Sequence, residues 1–246
     1  MTKARLISAL TSTNWSKNVD EFCLHDSAVI NLDKSALRLA VWSKQFENIE
    51  KGNPALSFIR EMQSSAHITI AACALAHYKL AASGMRTVVE SALYYSYFRT
   101  HKSELATLMR DSDWHITKQE ILDYHQTHPP ESSKLHRSLP LASRLSPWYS
   151  RISAVIHGQV PGVWNGEGGL ANRTHRLELI DEVTKEFCEA VAIVDCIFFL
   201  TTGRELWATF STHAKSTLVH GMQGDLRATL AVSYTHLRAH ETSLHL

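Results

Sequence analysis

The chain has 246 residues with 25 Lys+Arg against 24 Asp+Glu, a net charge of +1, and 44% hydrophobic residues. That length supports a real core in one or two domains, and the balanced charge argues against a strongly basic nucleic-acid sheath while allowing a local basic patch. The four cysteines (Cys23, Cys73, Cys188, Cys196) form no C-x-x-C pair and read as buried free thiols of a reducing cytoplasm, not as a disulfide frame.

Taken in chain order, residues 1–32 have weak periodicity and read as an N-terminal arm or irregular lead-in. The apolar run after Lys3 and Arg5 is too short for a signal peptide. Asp33 is a plausible N-cap for a helix to about Lys51, with Gly52 as its stop. Asn53-Pro54 restarts a helix, and the pattern then runs to about His101. Gly84 is its weak point, which predicts two helices or a kink there. Ser103 caps a short helix to Met109, and Thr117 caps another to His125. Thr127 to Ser133 is a loop stopped by two prolines. A helix spans roughly Ser146 to His157, the glycine-rich stretch from Gly158 to Asn172 is a loop, and a long helix covers about Thr174 to Thr202. A last helix covers about Gly203 to His213. Residues 214–231 carry no assignment. Val232 to Thr242 resembles the in-frame translation of a sequencing adapter, so residues 232–246 read as a non-native tail, to be set aside, and the natural protein is expected to continue past about Ala231 with other residues.

No segment alternates with period two, and the most apolar stretches, His67 to Tyr78 and Ala190 to Leu200, fall short of the ~20 residues a membrane helix needs. The pattern predicts an all-α, single-domain bundle of five to seven helices over residues 33–213, soluble and cytoplasmic.

Two of the apolar helical stretches contain isolated charges. Arg86 and Glu90 are the only charged residues between Leu80 and Phe98, and their spacing of four puts them on one helix face. They form a pair that registers helices, or Arg86 faces an anionic ligand and Glu90 orients it. Asp195 is a lone acid in the run Ala190 to Leu200. It needs a partner, and Arg86, Arg151 and His157 are the candidates.

In the segment Trp148 to Gly158, the residues Trp148, Ile152, Val155 and Ile156 make a core stripe. Tyr149, Ser153 and His157 recur at steps of four and line a neighbouring polar face. Arg151 and His157 lie six residues apart, about 120° around an ideal helix. A plainly structural account also exists. His157 in the last turn complements the helix dipole, Gly158 is an ordinary C′ residue, and Ser153 bonds back to the carbonyl of Tyr149.

Arg151-x5-His157, late in an all-α chain, resembles the Arg-x(4–6)-His signature of HEPN domains (higher eukaryotes and prokaryotes nucleotide-binding). Arg86-x3-Glu90 followed by Ser153-x3-His157-Gly158 is also similar to a group of HEPN-like bacterial helical proteins. The resemblance covers roughly Leu80 to Gly158. It implies a homodimeric, metal-independent ribonuclease of a toxin or anti-phage defence system, in which two motif helices form one cleft. His157 would exchange a proton with the RNA 2′-hydroxyl or leaving oxygen, and Arg151 would hold the phosphate, these two being the catalytic residues. Arg86, Glu90, Tyr149, Ser153 and Asp195 would support the site or contact ligand. Ile152 stands where active HEPN nucleases often carry a polar residue. The alternative is a non-catalytic binding or sensor bundle. No metal or other cofactor is implied, and the partners are RNA or a nucleotide and a second copy, with no membrane.

Other signals are weaker. His125-x-x-His128 lacks a third ligand and reads as a surface pair. Gly166 to Gly169 follows no strand and lacks the Lys-Ser/Thr of a phosphate loop. Tyr94, Tyr95, Tyr97 and Phe98 are assigned to core packing or a dimer interface.

Overall fold

The computed structural model describes residues 3–128, 141–165, 169–170, 173–220 and 222. These form eleven α-helices and one 3-10 turn, with no strand among the described residues. In chain order the helices are α1 (Lys3–Ser12), α2 (Trp15–Cys23), α3 (Asp26–Ile49), α4 (Leu56–Ala74), α5 (Tyr78–Phe98) and α6 (Lys102–Arg110). They continue as α7 (Lys118–Thr127), α8 (Leu141–His157), α9 (Leu177–Leu200), α10 (Thr202–Leu206) and α11 (Thr212–His220). The all-helical class is as expected, but the count exceeds seven. Five helices (α3, α4, α5, α8 and α9) are 17–24 residues long, and the short ones make up the excess.

α5 is the central helix. It packs most extensively on α4, then on α9 and α8, with α6 and α7 across its C-terminal half. α3 lies against α4 and α9, and α11 docks on α3. One end of the core is an aromatic cluster of Trp42, Phe46, Tyr95, Phe198, Phe199 and Phe210, several of them edge-to-face. That geometry suits the ring quadrupoles. Arg99, beside this cluster, is paired. Arg99 donates to Glu50 at 2.7 Å and to Glu205 at 2.6 Å, tying the ends of α3, α5 and α10 together.

Several sequence expectations are corrected. The lead-in is helical: Asn14 caps α2 by accepting from the Lys17 amide at 2.9 Å. α1 buries no residue, which is why no core stripe marks it. α3 starts at Asp26, so Asp33 lies inside it; the buried stripe Ala28, Leu32, Ser35, Leu39, Trp42 and Phe46 already begins ahead of Asp33. Gly52 does sit in the left-handed region after α3, with φ +84°. Thr117 does cap α7, in a reciprocal capping box with Glu120.

The break in the long helical run falls at residues 75–77, not at Gly84. Ala76 takes φ +57°, and the His77 amide donates back to the Ala72 carbonyl at 2.7 Å. This is a Schellman closure made without glycine, so no sequence signal announced it. Gly84 lies inside α5 for a different reason. A Cβ there would sit 2.4 Å from Thr69 Oγ1 and 3.0 Å from the Ser65 carbonyl. The glycine lets α4 and α5 approach closely.

α8 begins at Leu141, earlier than Ser146, and carries Pro147 in its interior. The expected last helix is split into α10, the 3-10 turn Trp207–Thr209 and α11. Ser211 starts α11 by accepting from the Ala214 amide at 3.2 Å, so helix continues into the segment left unassigned. Of the thiols, Cys73 and Cys196 are buried and Cys188 is half-buried, but Cys23 is exposed. The expectations for the double-proline loop beyond His128, for Gly166 to Gly168 and for residues 232–246 lie outside the described residues. Among the described residues no helix is long and apolar enough to cross a membrane.

Candidate functional site

The seam between α5 and α8 carries a polar network. On α5, Lys79, Ser83, Arg86 and Glu90 recur at steps of three or four, which sets them on one face. On α8, Tyr149, Ser153 and His157 do the same. The opposite sides of both helices are core, with Val88, Val89, Trp148 and Ile152 all buried.

Arg86 is the hub of this seam. Its Nε donates to Glu90 Oε1 at 2.9 Å. Its Nη1 reaches Ser153 Oγ and His157 Nε2, each at 3.5 Å. A guanidinium has no acceptor, so in a hydrogen bond across this contact His157 Nε2 is the accepting atom. The Arg86 guanidinium also stands 4.6 Å from the centroid of the Tyr149 ring, a cation–π distance. Tyr149 donates its hydroxyl to the same Glu90 oxygen at 2.5 Å. Lys118, from the first turn of α7, sits 3.9 Å from that ring centroid. Lys79 Nζ lies beside Gly158, 3.4 Å from where a Cβ would stand.

The electrostatics follow from this crowding. Partial burial works against the Arg86 charge, but the hydrogen bond and charge of Glu90 outweigh it and raise its pKa. Burial, then the Glu90 hydrogen bond and charge, push the Tyr149 hydroxyl up to about 12. Burial lowers the Lys118 pKa, and the Arg86 charge adds to that. Lys79, Arg86 and Lys118 thus set three positive charges along the seam, against the single carboxylate of Glu90. His157 is exposed and Ser153, Arg86 and Glu90 are half-buried, so solvent reaches the cationic side.

The end of α8 is closed as the spacing predicts. Gly158 takes φ +65°, and the Gln159 amide donates to the Ala154 carbonyl at 2.9 Å. His157 therefore projects from a fixed helix end.

The structure brings five of the seven sequence candidates together: Arg86, Glu90, Tyr149, Ser153 and His157. Arg151 lies on another face of α8 and forms an ion pair with Glu186 of α9 at 3.0 Å, with its own side chain 55% exposed. The angular offset read from the spacing is what separates it from His157 within one chain. Asp195 is also elsewhere, and its partners are not those expected. It accepts from Arg38 at 2.6 Å and from the Trp42 indole at 2.8 Å, and Arg38 also donates to the carbonyls of Thr217 and Leu218. Burial raises the Asp195 carboxyl pKa, with Arg38 and Trp42 pushing back. This cluster docks α11, a packing role. Among the described residues no group of three or more His, Cys, Asp and Glu could hold a metal ion. His125 is buried against Ser96, not a surface residue, while His128 is exposed and lies against the Tyr124 ring.

Lys79 and Lys118 were missed by sequence reasoning. Lys79 carries a usable signal, standing seven residues before Arg86 on the same face. Lys118 carries none, because only the fold brings α7 to Tyr149. The chain matches no protein-family profile, no curated protein and no solved structure.

Proposed function

We propose that this is a HEPN-like helical protein that binds a phosphate-bearing ligand, RNA or a nucleotide, in the α5–α8 seam. Metal-independent RNA cleavage by His157 is the reaction the site suits. The carrying observation is the convergence of Arg86, Lys118, Lys79 and the exposed His157 around a single carboxylate. A guanidinium is a strong phosphate donor. An imidazole at a solvent-facing helix end can move a proton near neutral pH.

The phosphate-holding role that the family resemblance suggests for Arg151 falls in this proposal to Arg86, because Arg86 already touches His157. Glu90 and Tyr149 hold the guanidinium in place, and Ser153 supplies a hydroxyl beside it. Two such seams in a homodimer would provide one histidine as base and one as acid. A toxin or anti-phage role in the cytoplasm is the context that goes with this reading. A second reading, a non-catalytic binding or sensor module, is favoured by one observation: the bonds from Arg86 and Tyr149 to Glu90 form a closed network that stands without any ligand.

The test is cleavage and binding of single-stranded RNA by the full chain in EDTA. His157→Ala should lower cleavage by about 10²–10⁴-fold, and Arg86→Ala should lower binding, with circular dichroism confirming the fold. Arg151→Ala should leave both unchanged. Binding without cleavage selects the sensor module. A folded wild-type protein that neither binds nor cleaves RNA or nucleotide sinks the proposal. Loss of cleavage in Arg151→Ala restores the phosphate role to Arg151, acting across a dimer.

A further inference from the structure

The contact between Arg86 and His157 has the polarity of a proton-linked switch. Arg86 Nη1 can only donate, so a hydrogen bond across the 3.5 Å approach to His157 Nε2 needs that nitrogen unprotonated. A proton on Nε2 would set imidazolium against guanidinium. The other groups facing this point add to the opposition. From α5, Lys79 stands beside Gly158. From α7, Lys118 lies over Tyr149. From α8, Ser153 is neutral, and Tyr149 is held in its neutral form by burial and by Glu90. Glu90, one turn from Arg86, is already taken by Arg86 and Tyr149.

An anion placed between Arg86 and His157 reverses the sign. Both side chains would then donate to it; the imidazole can do so as the neutral Nε2–H tautomer or as imidazolium, and a dianion set among the charges of Arg86, Lys79 and Lys118 favours the charged form. The anion replaces a donor–acceptor contact with two charge-assisted hydrogen bonds.

We infer that the seam takes up its anion together with one proton: His157 leaves Arg86, gains a proton from water at Nε2, and the two side chains bridge a dianion of the phosphate class. This rests on the reading of the seam as an anion site and adds its regulation. Affinity falls as pH rises above the range in which imidazoles titrate, around pH 6.5. The reciprocal also holds, since a bound anion must raise the midpoint of His157 by the logarithm of the affinity ratio.

Sulfate is the probe, because it stays a dianion throughout the range and any proton taken up belongs to the protein. The His157 ring of the full chain is followed by NMR from pH 5 to 8, without and with saturating sulfate. The expected result is a midpoint raised by about one unit, which means roughly tenfold tighter binding to the imidazolium form. In His157→Gln the amide keeps a donor but cannot gain a proton, so sulfate affinity should become independent of pH. Sulfate binding with an unmoved His157 midpoint overturns the inference and leaves the anion site standing. Unchanged pH dependence in His157→Gln does the same. A folded wild-type protein that binds no sulfate at any pH overturns the anion site itself, and the inference with it.

Discussion

Glu90 is the residue on which the seam depends. One of its oxygens receives both the Arg86 Nε and the Tyr149 hydroxyl, so it joins α5 to α8 and aims the guanidinium. Glu90→Gln keeps the volume and removes the charge. The loss of charge-assisted hydrogen bonds should cost about 1–2 kcal/mol, read as a lower urea midpoint at unchanged slope. A variant as stable as wild type would mean that the pair is only decorative. Asp195 sits at the other extreme, with 4% of its surface exposed. Asp195→Ala leaves the largely enclosed Arg38 guanidinium, 11% exposed, without its counter-charge. The expected loss is about 3–5 kcal/mol, again by urea denaturation, with early release of α11 seen by hydrogen exchange. The need for a partner at Asp195 was legible in the sequence, because a lone acid in an apolar run cannot stay unpaired. The identity of that partner was not. Arg38 lies 157 positions away, on a helix whose own pattern gives no hint of α9. The Arg86–Glu90 pair was legible for the opposite reason: a spacing of four settles it locally.

At the scale of elements, the hydrophobic period identified every long helix and misplaced several of their ends. The capping box at Thr117 was readable, while the side-chain caps at Asn14 and Ser211, beside weakly periodic segments, were not. Ends closed by a glycine in the left-handed region, as at Gly52 and Gly158, were readable too; ends set by packing alone were not. The helix break at Ala76 shows why. An alanine in the left-handed region costs roughly 1–2 kcal/mol, and only the surrounding packing holds it there, with Ala76 itself fully buried. Gly84 shows the converse. Its lack of a side chain reads as weakness, yet it marks a close approach of α5 to α4. Gly84→Ala gains up to about 1 kcal/mol of helix propensity. It also forces a methyl group onto Thr69 and the Ser65 backbone, which should cost about 1–3 kcal/mol. Net destabilisation is the expected outcome. Adding Thr69→Ser leaves the obstructing oxygen in place and should rescue little, whereas Thr69→Ala should rescue part of the loss. Equal urea midpoints for wild type and Gly84→Ala would mean that the two helices separate freely.

For the whole molecule, the buried thiols and phenols make stability depend on pH at the alkaline end. Burial pushes the Cys73 and Cys196 thiols up to about 12, from an ordinary value of 9.0. Burial likewise takes Tyr78 up to about 12. Each of these groups has a folded pKa above its unfolded one, so the native state keeps protons that the unfolded chain releases. Their contribution is complete below about pH 9 and is lost as pH rises toward 12, because the slope of stability with pH is negative wherever the unfolded state binds fewer protons. Near pH 10.5 each buried thiol should account for about 2 kcal/mol of lost stability. The check is the urea midpoint at pH 8 and near pH 10.5, for wild type and for Cys73→Ala with Cys196→Ala. The double variant starts lower, because two small cavities open, and should fall less steeply, with the tyrosines supplying what slope remains. A thiol reagent at pH 8 gives an independent reading: Cys23 should react at once, and Cys73 and Cys196 only after unfolding. If the double variant loses stability with pH as steeply as wild type, the thiols are not the carriers, and the buried tyrosines must account for the whole alkaline slope.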